Sequence, residues 1–148
     1  MPLTLANRQR GHKIQVRALK QIAATLLVEQ AGPEAILEIN LVSPAHMTRV
    51  NEEFLQHEGP TDVITFDYRE EPKGSPLHGE LFICPAVAVL QAQEFDTTWR
   101  SELVRYVIHG LLHLQGYDDR TAADRRRMKR VESRLLREMS RRFPLSGL

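Results

Sequence analysis

The sequence predicts an α+β fold. It reads as a single domain over residues 1–148, a small mixed β-sheet of about four strands covered by helices, with a metal site on a helix followed by a turn. Three observations lead there. Two-residue alternation and 3.6-residue periodicity succeed each other in the order strand, helix, strand, helix, strand, strand, and then three helices. The last two strands are joined without a helix, which marks a mixed sheet rather than a run of βαβ units. And one helix carries a histidine pair, a terminating glycine and a carboxylate just beyond it, in HGLLHLQGYDD over 109–119.

The elements follow in order. Leu3 and Leu5 alternate with Thr4 and Ala6 over 3–6, the pattern of a first strand, and a basic loop containing Gly11 follows. Ile14, Ala18, Leu19, Ile22, Leu26 and Leu27 recur at helical spacing over 13–30, and Gly32-Pro33 breaks that helix. Ile36, Leu37, Ile39, Leu41 and Val42 make 35–42 a strand. Ser43 caps the next helix, with Pro44 at its first position, and the helix is expected to run to 54.

After a loop at 56–60, the β-formers Val63, Ile64, Thr65 and Phe66 predict a strand over 62–68. The Pro- and Gly-containing stretch 69–78 connects it to a strand over 79–84. Pro85 then opens a helix through 95, and Asp96, Thr97 or Thr98 caps another that runs to 114. A last helix over 122–142 carries an apolar stripe of Met128, Val131, Leu135 and Met139. Arg126, Arg130, Arg134, Arg137 and Arg141 line another of its faces. No repeat or domain boundary interrupts the chain.

A hydrophobic content of 42% and a charged content of 26% belong to a soluble globular domain. No apolar run approaches the roughly 20 residues of a membrane span. The first residues lack the apolar core and cleavage site of a secretory signal, so a cytoplasmic location is expected. The single cysteine, Cys84, excludes an internal disulfide and reads as a small buried residue at a strand end.

The net charge of +1 conceals segregation. Residues 1–20 hold five Lys/Arg and no acid, residues 21–119 five against sixteen acids, and residues 120–148 ten against three. Basic ends on an acidic middle fit a polyanion-binding surface beside a cation-binding centre.

His109 and His113 are four residues apart, so both lie on one face of their helix. Gly116 ends that helix cheaply in left-handed geometry and lets the chain return Asp119 toward the same place. Two imidazoles and one carboxylate suit one Zn²⁺ ion with a fourth position open to water. The order H-x3-H-x2-G-x2-H/D is also that of the metzincin proteases, but their general base follows the first histidine, where this chain has Gly110. Asp118 is a further catalytic candidate or a residue that orients the turn. Tyr117 reads as turn packing, and Thr61 and Asp62 are divided between the site and turn capping.

HGLLHLQGYDD resembles the signature of the YbeY family, bacterial endoribonucleases also called rRNA maturation factors, whose members read approximately HGxLHLxGYDH. NEEFLQHEGPTDVITF over 51–66 and HGELFICPAVAVLQAQEF over 78–95 are similar to two further family segments, in the family's order. The resemblance implies a metal-dependent, single-strand-specific endoribonuclease. Its expected work is late small-subunit rRNA 3′-end processing and ribosome quality control. Expected partners are rRNA and the small ribosomal subunit, with ribosomal proteins or an assembly GTPase as further ones, and no membrane.

In that reading His109, His113 and Asp119 are the metal ligands, His109 and His113 act through the metal, and Asp119 stands where the family usually has a third histidine. Leu55 stands where the family usually has an arginine that serves RNA. His57, Arg49 or an arginine of the last helix is expected in its place. Backbone contacts are expected from Arg8, Arg10, Arg126, Arg130, Arg134 and Arg137. A non-catalytic ribosome-assembly factor with a structural zinc site is the alternative, and a metallopeptidase, lacking a base at Gly110, a distant third.

Overall fold

The computed structural model describes residues 2–55, 62–71 and 74–148. Four strands and five α-helices are present among them, in the expected order: β1 (Leu3–Asn7), α1 (Val16–Ala31), β2 (Ile36–Leu41), α2 (Pro44–Val50), β3 (Val63–Asp67), β4 (His78–Ile83), α3 (Pro85–Phe95), α4 (Trp99–Leu114) and α5 (Ala122–Arg142). The boundaries of α3 and α5 agree with those read from the sequence, and Ser43 caps α2 by accepting from His46 N at 3.1 Å.

One expectation is corrected. The helix expected to reach 54 ends at Val50 and passes into a π-helical turn, Asn51–Leu55. The Asn51 N–H is shared between the Met47 and Thr48 carbonyls, where the regular ladder gives way. A short 3₁₀ turn, Leu145–Gly147, follows α5 and was not foreseen.

The sheet has the order β1-β2-β4-β3. β1, β2 and β4 run parallel, and β3 returns antiparallel beside β4, so the sheet is mixed as expected. Alternation assigns the two faces. Leu37, Ile39, Leu41, Leu81 and Ile83 join the large core with residues of α1 and α4. The opposite face supplies Ile64 to a smaller core with Val42, Met47, Val50 and Cys84 beneath α2. Cys84 is fully buried at the end of β4, and burial pushes its thiol up, as a structural cysteine should behave.

Two glycines decide how α4 lies on the sheet. A Cβ at Gly110 would stand 2.7 Å from Leu81 Cδ2, and one at Gly79 would stand 2.7 Å from Leu114 Cδ1 and 2.9 Å from the Phe66 carbonyl. The helix therefore touches β4 with nothing to spare. Arg69 secures its far end, donating to the Leu114 carbonyl at 2.5 Å while forming a two-pronged pair with Asp67. Helix α5 packs along α4. Among the described residues no helix is long and apolar enough to cross a membrane.

Candidate active site

The remaining stripe of α4 opens onto a cleft of about 450 Å³. Glu102, Arg105, Tyr106 and His109 line it from α4; Arg125, Met128, Lys129, Glu132 and Ser133 line it from α5. Gln91 and Phe95 of α3, with Thr97, close one end, and Asp62 and Asp119 border it from the flanking loops.

Local chemistry sets the positions. Thr98 is the cap of α4, its hydroxyl accepting from Ser101 N at 3.1 Å, and Thr97 instead donates to Glu102 Oε1 at 2.9 Å. At the other end Gly116, at φ +101°, makes the turn read from the sequence. Its N–H donates to the His113 carbonyl and that of Tyr117 to the Leu112 carbonyl, both at 3.1 Å, the double bond of a Schellman cap. Asp118 Oδ1 accepts from Asp119 N at 2.7 Å and Arg120 N at 3.2 Å. Its carboxylate therefore shapes the turn, as the orienting option has it, and Asp118 is not among the residues that line the cleft. Tyr117 packs against the core beneath the Arg127 guanidinium, as turn packing predicts.

His109 is the best-defined member of the site. Its Nδ1 stands 2.7 Å from Glu132 Oε2, and Glu132 is itself only 8% exposed with Arg105 3.6 Å from its other oxygen. The Glu132 carboxylate holds the imidazole above its usual range, against the opposing pull of burial. With Nδ1 taken, Nε2 is the nitrogen left for an external partner. This is the arrangement in which a carboxylate fixes the tautomer of a metal-ligating histidine.

Sequence reasoning missed Glu132. The available signal was a carboxylate at position 132 on the apolar stripe of α5, between Met128 and Leu135, where an unpaired charge would be costly. Glu102 carries the same signal on α4, buried and paired with Thr97 and with Arg105 at 3.8 Å.

The other expected ligands are disposed less tightly. Asp119 lines the cleft with His109, whereas His113, one turn further along the same helix, is exposed and does not line it. Among the described residues no group of three His, Cys, Asp or Glu stands close enough to hold an ion. The donor chemistry fits zinc, and His109 is held as a ligand should be; the Asp119 turn would have to close on the pair. Arg125 controls that turn, donating to the Asp119 carbonyl at 3.2 Å and the Arg120 carbonyl at 3.4 Å.

The expected RNA-binding residues lie elsewhere. Arg126, Arg130, Arg134 and Arg137 are exposed on α5 but do not line the cleft, nor do Arg8 and Arg10. Arg8 donates to Asn40 on the sheet face turned away from α4. The cations that do line the cleft are Arg105, Arg125 and Lys129, none of them singled out in the sequence. Asp62 combines both options left open for it, accepting from Val63 N at 2.8 Å and lining the cleft. The side chain of Leu55, with His57 and Thr61, lies outside the described residues.

Position 110 is turned toward the sheet, where any side chain would meet Leu81, so it cannot offer the base of a metzincin.

Comparison with known proteins agrees with this architecture. The family model described as Endoribonuclease YbeY matches residues 4–140. The chain is 35% identical over 144 residues to the Endoribonuclease YbeY of Syntrophotalea carbinolica, covering 94% of this chain and 96% of that one. It is 32% identical over 143 residues to that of Salinibacter ruber, covering 91% and 90%. The solution structure of TM1509 from Thermotoga maritima superposes with a TM-score of 0.66 at 27% identity, over 93% of this chain and 88% of that one. With the match running through the sheet, the histidine helix and α5, the chain belongs to the Endoribonuclease YbeY family.

Proposed function

We propose that this protein is a single-strand-specific, metal-dependent endoribonuclease that matures rRNA, acting late at the small-subunit 3′ end and in ribosome quality control. The observation that carries the reading is the buried Glu132 held against His109 Nδ1 at the wall of an open cleft. His109, His113 and Asp119 would hold one zinc ion. When bound, such an ion supplies a hydroxide near neutral pH and a Lewis acid for a phosphodiester oxygen.

The chain's own residues do the rest. Glu132 keeps His109 in one tautomer, and the Asp118 and Arg125 contacts shape the Asp119 turn. Arg105, Arg125 and Lys129 bring positive charge to the wall where a backbone phosphate would lie. They stand in for the family arginine that Leu55 replaces. Arg126, Arg130, Arg134 and Arg137 extend the charge along the outer face of α5 for strand segments beyond the cleft. The partners are rRNA and the small subunit, and the site of action is the cytoplasm.

The test is cleavage of single-stranded rRNA fragments by the purified protein. Cleavage that disappears with chelator and in His113→Ala, together with zinc in metal analysis, is the expected result. Tight RNA or ribosome binding without cleavage would assign the ribosome-assembly role instead.

A further inference from the structure

We propose that the α3 side of the cleft is a nucleobase subsite in which Phe95 stacks an unpaired base, while Lys129 on the α5 wall holds a phosphate of the same strand. The inference rests on the ribonuclease reading of the cleft and names what that reading leaves open: which part of the nucleotide is gripped, and where.

Four observations converge. Phe95 is 63% exposed although it lies on the rim of the cleft. A ring exposed beside a cavity is available to stack against a base. The same cleft has apolar lining in Met128 and the ring of Tyr106, both buried. Gln91 places a polar handle there: its Oε1 accepts from the Tyr106 hydroxyl, which fixes the amide plane, while its Nε2 has no partner among the described residues. That amide can donate to an acceptor on a base edge.

The fourth observation is charge. Lys129 lies on the same cleft and makes no hydrogen bond or ion pair among the described residues, unlike Arg105 and Arg125, whose guanidiniums are held by Glu102 and Glu132 or by turn carbonyls. Amid the polar groups of this cleft, a donor amide, an exposed ring and a free cation offer partners for the edge, face and phosphate of a nucleotide. A volume of about 450 Å³ accommodates one. A paired base cannot enter, because its Watson–Crick edge and both faces are already occupied. Selection for single strands is thereby built into the cleft, and stacking makes it tolerant of sequence.

The experiment measures binding of the protein as isolated to a short labelled single strand of 2′-O-methyl ribonucleotides, confirmed intact on a gel, and to an abasic strand of equal length. Phe95→Ala is expected to weaken binding to the base-bearing strand roughly tenfold and to the abasic strand less than about twofold. Phe95→Trp is expected to restore it. Lys129→Gln is expected to weaken both and to lower the slope of log affinity against log salt by about 0.7. Phe95 is exposed, so thermal unfolding of Phe95→Ala should match the parent.

Phe95→Ala binding that matches the parent, or that falls equally on both strands, overturns the subsite. If the parent still cleaves RNA in that case, the ribonuclease reading stands and the subsite alone is lost. A parent protein that neither binds nor cleaves single-stranded RNA overturns both.

Discussion

Helix α4 has two sides that obey different rules. Toward the sheet it is dry and close, with Gly110 against Leu81 and Leu114 against Gly79. Toward the cleft the same sixteen residues present Glu102, Arg105, Tyr106 and His109, each held by a specific polar partner. Steric contact on one side fixes where the helix axis lies, and directional bonds on the other fix how individual side chains point. The difference teaches that positioning can be delegated. Because glycine and leucine settle the helix, the cleft can carry charge without being responsible for the fold.

The comparison can be broken most severely from the dry side. Leu81→Ala removes a fully buried side chain beneath Gly110 and should cost about 2–5 kcal/mol in chemical denaturation. A loss under about 1 kcal/mol would mean that the helix does not depend on that contact.

From the cleft side, Glu132→Gln should leave unfolding nearly unchanged but weaken zinc binding by roughly 10- to 100-fold in a chelator competition. Unaltered affinity would show that the His109–Glu132 contact serves packing alone. Gly110→Ala sharpens the contrast. Overpacking Leu81 costs about 1–3 kcal/mol and the gain in helix propensity returns about 1, so a net loss near 1 kcal/mol is expected in the same denaturation measurement.

The smallest effect concerns Asp67, which the Arg69 guanidinium holds below its ordinary value of 3.8. A depressed carboxyl contributes stability that is present above the unfolded value and lost as pH falls through the folded one. Asp67→Asn should therefore flatten the acid limb of the stability curve below about pH 4, with little change at neutrality.

Much of this was legible along the chain because it is local. Pro85 and the alternation before it bounded β4 and α3, Gly116 announced the Schellman turn, and the β3–β4 succession announced a mixed sheet. The insertion of β4 between β2 and β3 was not legible, since parallel pairing of β2 with β4 joins segments about 40 residues apart. Of the residues singled out in the sequence, His109, Asp119 and Asp62 line the cleft, but Glu132, Lys129 and Gln91 were not legible there. Their roles depend on which way α5 and α3 roll against α4, a matter of tertiary packing that helical periodicity leaves open. The arginines of α5 form the separate face read from the sequence, yet the cations that line the cleft are Arg105 of α4 and Arg125 and Lys129 of α5.

Helix α5 holds two leashes at once: Glu132 grips one imidazole, and Arg125, two turns earlier, tethers the loop bearing Asp119. Any movement that lifted this helix from its neighbour would slacken both together, so the centre should assemble or come apart as a unit instead of losing donors one by one. Occupancy of the proposed metal centre and seating of the last helix would thus be two readings of a single equilibrium.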